Sequence, residues 1–324
     1  MKKMIAMVLA LMLVFSMAAC ASSNGSAEGG AEDGKYTIGV CQLVQHDALD
    51  AATQGFIDTL KAELGEKNVD INLQNASGDS NTCANIVNDF VANDVDLIMA
   101  NATPALQAAA NATKDIPILG TSVTEYGVAL GIENFDGLVG TNVAGTSDLA
   151  PLDKQAAMVK EWFPDAKNVG LLYCSAEANS KYQVEEMQKM LTEMGYTCEM
   201  YAFTDTNDLA AVTEKCNAES DVIYVPTDNA VANAADIVGG LSDKPIIAGE
   251  AGICRGCGVA TLSINYYDLG VATAKMAIKI LKGEANIAEM KIEYVDEATL
   301  KYQYNKTICD KLGLTAPEGY EELN

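Results

Sequence analysis

The sequence is poor in the side chains that grip anions and metals. It holds one histidine, His46, and one arginine, Arg255. A lone histidine leaves no histidine-based metal cluster. A lone arginine excludes a site that clamps phosphate or carboxylate with several guanidinium forks. Basic residues are scarce altogether: 21 Lys plus Arg stand against 45 Asp plus Glu, a net charge of −24. So acidic a chain repels nucleic-acid backbones, which excludes nucleic acid as a partner. Nine cysteines in 324 residues are too few for a disulfide scaffold. The glycine fingerprint of dinucleotide enzymes is missing, since GVCQLVQ (39–45) and GTSVTE (120–125) lack G-x-G-x-x-G. No G-x-S-x-G occurs, and no nucleophile stands with a base. A non-enzymatic protein without metal or cofactor is expected.

What the chain does have is 49% apolar residues, enough for real cores. Its length suits two domains. Residues 1–19 read as a secretory signal: Lys2 and Lys3, then an apolar run from Met4 to Met17 broken only by Ser16, then Ala18 and Ala19. The run is short for a membrane span. The small-small-Cys ending resembles a bacterial lipobox, with Cys20 as the acylated residue; an ordinary cleaved signal is the alternative. Residues 20–34 are rich in Ser, Gly, Ala and acid, a flexible tether. Together these predict a body anchored by lipid to the outer face of the bacterial cell membrane.

From Tyr36 onward, short apolar runs alternate with amphipathic stretches. Strands are predicted at 36–40, 69–73, 97–100 and 117–120. Between them, Leu49, Ala52, Phe56, Leu60 and Leu64 recur at helical spacing, as do Ile86, Val87, Phe90 and Val91. The pattern repeats with strands at 169–173, 197–203, 221–225 and 244–249 and helices at 208–217 and 230–240. A long helix is predicted over 268–282. The reading is α/β: two Rossmann-like, doubly wound parallel-sheet lobes joined by a hinge. Polar, small NVAGTSD marks the change-over near 141–148. Lobe 1 is expected to comprise 35–143 plus about 265–292, and lobe 2 to comprise 144–264 plus about 293–324.

Ligands of such sheets bind beyond the C-terminal strand ends. Those loops carry Gln45 and His46, Thr103, Thr121 and Ser122 in the first half, and Glu177, Asn179, Thr227, Asp228, Asn229 and Glu250 in the second. The Ser, Thr, Asp and Asn among them are also ordinary helix N-cap candidates. Asp148, Asp228 and Glu250 suit an ammonium group. Backbone N–H groups at the helix starts after Thr103 and Ser122 suit a carboxylate. Both ends together describe an amino-acid zwitterion. Tyr126, Tyr224 and Tyr266 are candidate apolar walls.

The blocks VQHDALDAATQGF (44–56), VTEYGVALG (123–131), CSAEANS (174–180), YVPTDN (224–229), INYYDLG (264–270) and AIKIL (277–281) resemble ABC-transporter substrate-binding proteins of the tryptophan/tyrosine type. The resemblance covers about 36–315. It implies the type I periplasmic-binding-protein fold, capture of a small amino acid, aromatic in kind, and delivery to an ABC permease. A sugar or nucleoside is the alternative ligand. By position, the resemblance marks Gln45, His46, Thr103, Thr121, Ser122, Asp148, Asn179, Asp228 and Glu250 as pocket candidates. Asp228 ranks above Glu250 as the ammonium partner, because GEAGICRGCG (249–258) departs from the family pattern. Cys254 and Cys257 in that stretch read as a local disulfide or two free thiols.

Overall fold

A computed structural model of the protein describes residues 35–323; the signal segment and Cys20 lie outside that range. The first strands are β1 (Tyr36–Gln42), β2 (Val69–Asn75), β3 (Leu97–Asn101), β4 (Ile118–Val123) and β5 (Val143–Ser147). Helices α1 (Asp47–Leu64), α2 (Ser80–Ala92), α3 (Thr103–Ala112) and α4 (Tyr126–Leu130) fall between them. The second half runs α5 (Leu152–Trp162), β6 (Asn168–Cys174), α6 (Ala178–Glu193), β7 (Thr197–Phe203), α7 (Thr206–Glu219) and β8 (Val222–Val225). It continues with α8 (Asn229–Ala232), α9 (Ala235–Leu241), β9 (Ile246–Ala248), α10 (Ala251–Gly256) and β10 (Ala260–Ser263). The chain closes with α11 (Tyr266–Leu281), β11 (Glu293–Tyr294), β12 (Lys301–Tyr304), α12 (Lys306–Leu312) and β13 (Glu321–Glu322).

Two sheets result. The first is ordered β11-β5-β4-β3-β1-β2 and the second β13-β12-β10-β9-β8-β6-β7. All strand pairings are parallel except β10 with β12. Helices cover both faces, so the central strands β3, β4, β5 and β8 are buried along their whole length. Strand β2 at the edge exposes most of its residues. One core face of the first sheet gathers Phe90, Ile98, Leu106 and Tyr126; the other gathers Ile38, Phe56, Met99 and Leu119.

Residues 143–147, expected in the change-over, form β5 in the interior of the first sheet. Their small size reflects their neighbours. Gly145 has φ +147° and lies against the Gly120 backbone and the Tyr126 hydroxyl, so no side chain fits there. Thr146 is buried because its hydroxyl lies 2.8 Å from that of Thr273 and 3.3 Å from that of Thr121. Residues 293–294 likewise pair with β5 and not with the second sheet. The first sheet therefore reaches past both expected limits, 143 and 292. The helix expected over 230–240 is two, broken at Asn233 and Ala234.

The chain crosses between sheets three times: after β5, between β10 and α11, and between β11 and β12. Strand order reverses between β1 and β3 in one sheet and between β6 and β8 in the other. These two switch points, where loops diverge and leave a crevice, face each other across the crossings.

Candidate functional site

The crevice is built from both sheets. The first supplies His46 and Leu49, after β1, and Ser122, at the end of β4. The second supplies Asn179, Thr227, Asp228, Asn229 and Glu250 from the loops and helix starts after β6, β8 and β9. Asp148 and Tyr266, each on a crossing segment, complete it. The Tyr266 hydroxyl donates to Asp148 Oδ2 at 3.0 Å, tying two of the crossings together.

Local backbone explains several positions. His46 is extended, φ −158°, and stands at the N-cap of α1 without capping it through its side chain. Ser122 has φ +53°, an uncommon conformation for a residue with a Cβ. Lobe-to-lobe contacts are direct. His46 Nε2 lies 3.2 Å from Asn229 Oδ1, and the Thr124 and Thr227 hydroxyls are 3.4 Å apart. At the rim, Arg255 on α10 pairs with Asp47 at the start of α1.

Of the nine candidates, six line this crevice: His46, Ser122, Asp148, Asn179, Asp228 and Glu250. Three do not. Gln45 is exposed on an outer recess beside Asn233 and Arg255. Thr103 is buried at the start of α3 and does not line the crevice; its hydroxyl has no partner among the described residues. Thr121 points into the hydroxyl ladder with Thr146. Tyr126 and Tyr224 are core residues; the Tyr224 hydroxyl donates to Gln155 Oε1 at 2.6 Å. Of the three expected aromatic walls, Tyr266 alone faces the crevice.

The six differ in what remains available. Asp228 Oδ1 accepts from Val231 N at 2.9 Å and Oδ2 from Cys174 N at 2.7 Å. Glu250 Oε2 accepts from Gly252 N at 2.7 Å, and Oε1 accepts from Ile253 N. Both carboxylates cap helices, and each of their oxygens meets one backbone N–H. By contrast, four buried side-chain atoms on the crevice wall have no partner among the described residues: His46 Nδ1, Ser122 Oγ, Asp148 Oδ1 and Asn179 Oδ1. Such groups are costly when left unpaired, and a bound polar group would satisfy them.

The surroundings are rich in buried carboxyl groups. Burial pushes the Asp148 carboxyl up to about 6, with the Tyr266 hydrogen bond opposing and the Glu250 charge adding to the rise. Glu177, a strand-end residue outside the nine pocket candidates, accepts from Asn229 N, Asn229 Nδ2 and Asn179 Nδ2 on Oε2, and from Ala230 N on Oε1. Burial and the nearby Asp228 charge push it up to about 8. Its signal lay in the CSAEANS block, beside Asn179. No Lys or Arg side chain lines the crevice among the described residues. A cationic group is what this field favours.

Cys254 and Cys257 are two free buried thiols, each donating to a backbone carbonyl.

Residues 37–321 match the family described as ABC transporter substrate binding protein. A tyrosine-binding protein of Clostridioides difficile (strain R20291) is 35% identical over 314 residues, 92% of this chain and 89% of that one. A Streptococcus pneumonia protein solved in complex with L-Trp superposes with TM-score 0.83 at 35% identity, covering 88% of this chain and 96% of that one. A ligand-free, open substrate-binding protein with adhesive properties from Clostridium difficile gives TM-score 0.67 at 36% identity, covering 89% and 100%. Two doubly wound lobes, a polar crevice at their switch points and these likenesses agree: the chain belongs to the ABC transporter substrate-binding protein family.

Proposed function

We propose that the protein captures an aromatic amino acid between its lobes and hands it to an ABC permease, while anchored outside the cell membrane by a lipid on Cys20. The observation that carries the ligand class is the set of unpaired acceptors in a carboxylate-rich crevice. Asp148 Oδ1 is the proposed partner of the α-ammonium, and Asn179 Oδ1 is a second unpaired acceptor. Ser122 Oγ is a donor for the α-carboxylate. Leu49, Ala232 and the Tyr266 ring are apolar surface for the side chain. The tyrosine- and L-Trp-binding relatives support the aromatic choice. The lobe arrangement supports a closed state, since it lies nearer the L-Trp complex than the open relative at almost equal identity.

A thermal-shift screen tests the proposal. L-Tyrosine, L-tryptophan or L-phenylalanine should raise the melting temperature, and common sugars and nucleosides should not. A response to sugars or nucleosides alone sinks it. Anchoring has its own test: labelled palmitate should enter the protein made in bacteria, and Cys20→Ala should abolish incorporation.

A further inference from the structure

Glu177, Asn229 and His46 form a chain of hydrogen bonds that ends at the crevice. Glu177 Oε2 receives three N–H groups, among them Asn229 Nδ2 at 2.5 Å. An oxygen facing three donors is an acceptor whether or not Oε1 carries a proton. The Asn229 amide is therefore fixed with its nitrogen toward Glu177 and its oxygen toward His46. That oxygen, 3.2 Å from His46 Nε2, needs a donor. His46 Nε2 must carry a proton. The other ring nitrogen, Nδ1, is buried without a partner among the described residues, on a residue that lines both this crevice and the outer recess.

We propose that His46 is a specificity residue: held by Asn229 with its proton on Nε2, it presents Nδ1 as a hydrogen-bond acceptor to an N–H or O–H of the bound amino acid. Asn229 and Glu177 act through it as positioning residues. The inference rests on the crevice being an amino-acid site. It adds a requirement: the ligand must bring a donor to Nδ1, and an anionic or acceptor-only group at that point is rejected. The contact forms only with the lobes together, because His46 and Asn229 come from opposite lobes. Closure and tautomer choice are thus one event.

The single histidine makes the test direct, since long-range 15N–1H spectra contain one imidazole. Spectra are recorded for wild type and Asn229→Ala, each ligand-free and with saturating L-tyrosine. The expected wild-type complex has Nε2 protonated and Nδ1 bare, and Asn229→Ala should mix the tautomers. A complex with Nδ1 protonated overturns the proposal. So does an imidazole spectrum that Asn229→Ala leaves unchanged in both samples. His46→Ala should weaken binding about tenfold, the effect of one lost hydrogen bond. A loss larger for L-tyrosine than for L-phenylalanine assigns the donor to the phenol; equal losses assign it to the ammonium. No loss for either overturns the specificity role. If no aromatic amino acid raises the melting temperature, the proposed function fails, and the ligand-free spectra still decide the Asn229–His46 contact.

Discussion

Asp148 and Asp228 are both buried aspartates beside strand ends, yet only Asp148 has an oxygen without a partner. Asp148→Asn should therefore weaken amino-acid binding by ~1.5–3 kcal/mol, the worth of a hydrogen bond to a charged group. An aryl-propionate lacking the amine should lose far less, and calorimetry on both ligands separates the two. The pH dependence carries a sign. The ligand-free carboxyl titrates at about 6, and an ammonium beside it favours the ionised form, lowering that value in the complex. Binding below pH 6 must then expel a proton. Affinity should be level above pH 7 and fall by up to about tenfold per unit below 6, with proton release seen in buffers of different ionisation enthalpy. A flat profile from pH 7.5 to 5 removes Asp148 from the anchor role. Asp228→Ala should act on the fold instead. It leaves Cys174 N and Val231 N unpaired, costing ~1–3 kcal/mol of stability per orphaned group in denaturant titrations.

Among the elements, α1 and α11 set the reach of the first lobe toward the crevice. They pack backbone to backbone at two glycines: a Cβ on Gly55 would overlap the Tyr267 carbonyl oxygen, and one on Gly270 the Ala52 carbonyl oxygen. His46 begins one of these helices and Tyr266 the other, so their spacing fixes two crevice residues together. Gly270→Ala should push the helices apart and destabilise the protein by ~1–3 kcal/mol, as overpacked cores do. Weaker ligand binding should accompany the drop in melting temperature. Unchanged stability would show that the interface yields easily. The helices were legible from their apolar spacing. Strand β5 was not, because its residues are small to fit Tyr126 and α11, which removes the hydrophobic run that betrays a buried strand.

At the scale of the whole molecule, the proposed capture requires the two lobes to close over the crossings. Ligand bound only by the closed form should stabilise the protein by about 2.7 kcal/mol at a hundred times its dissociation constant. Arg255 and Asp47 meet across the rim when the lobes are together. Asp47→Asn should leave the ligand contacts intact and speed ligand release, with release rates converging on wild type at high salt, where exposed charge pairs are screened. Stopped-flow fluorescence reads this. Release equally fast in both proteins at low salt would show that the pair plays no part in holding the lobes.

The sequence by itself determined the layered α/β architecture, its duplication and its acidic balance. These follow from apolar periodicity and net charge, which are properties of the chain before it folds. It also placed the candidate residues at strand ends, because parallel sheets put their ligands there. Only the tertiary structure decided which of those residues face the crevice and which have lone pairs left. Ser, Thr, Asp and Glu after a strand serve equally as caps and as ligand groups, and the choice depends on backbone N–H groups brought from elsewhere. Asp228 and Glu250 meet such donors at both carboxylate oxygens; Asp148 Oδ1, Asn179 Oδ1 and His46 Nδ1 meet none among the described residues.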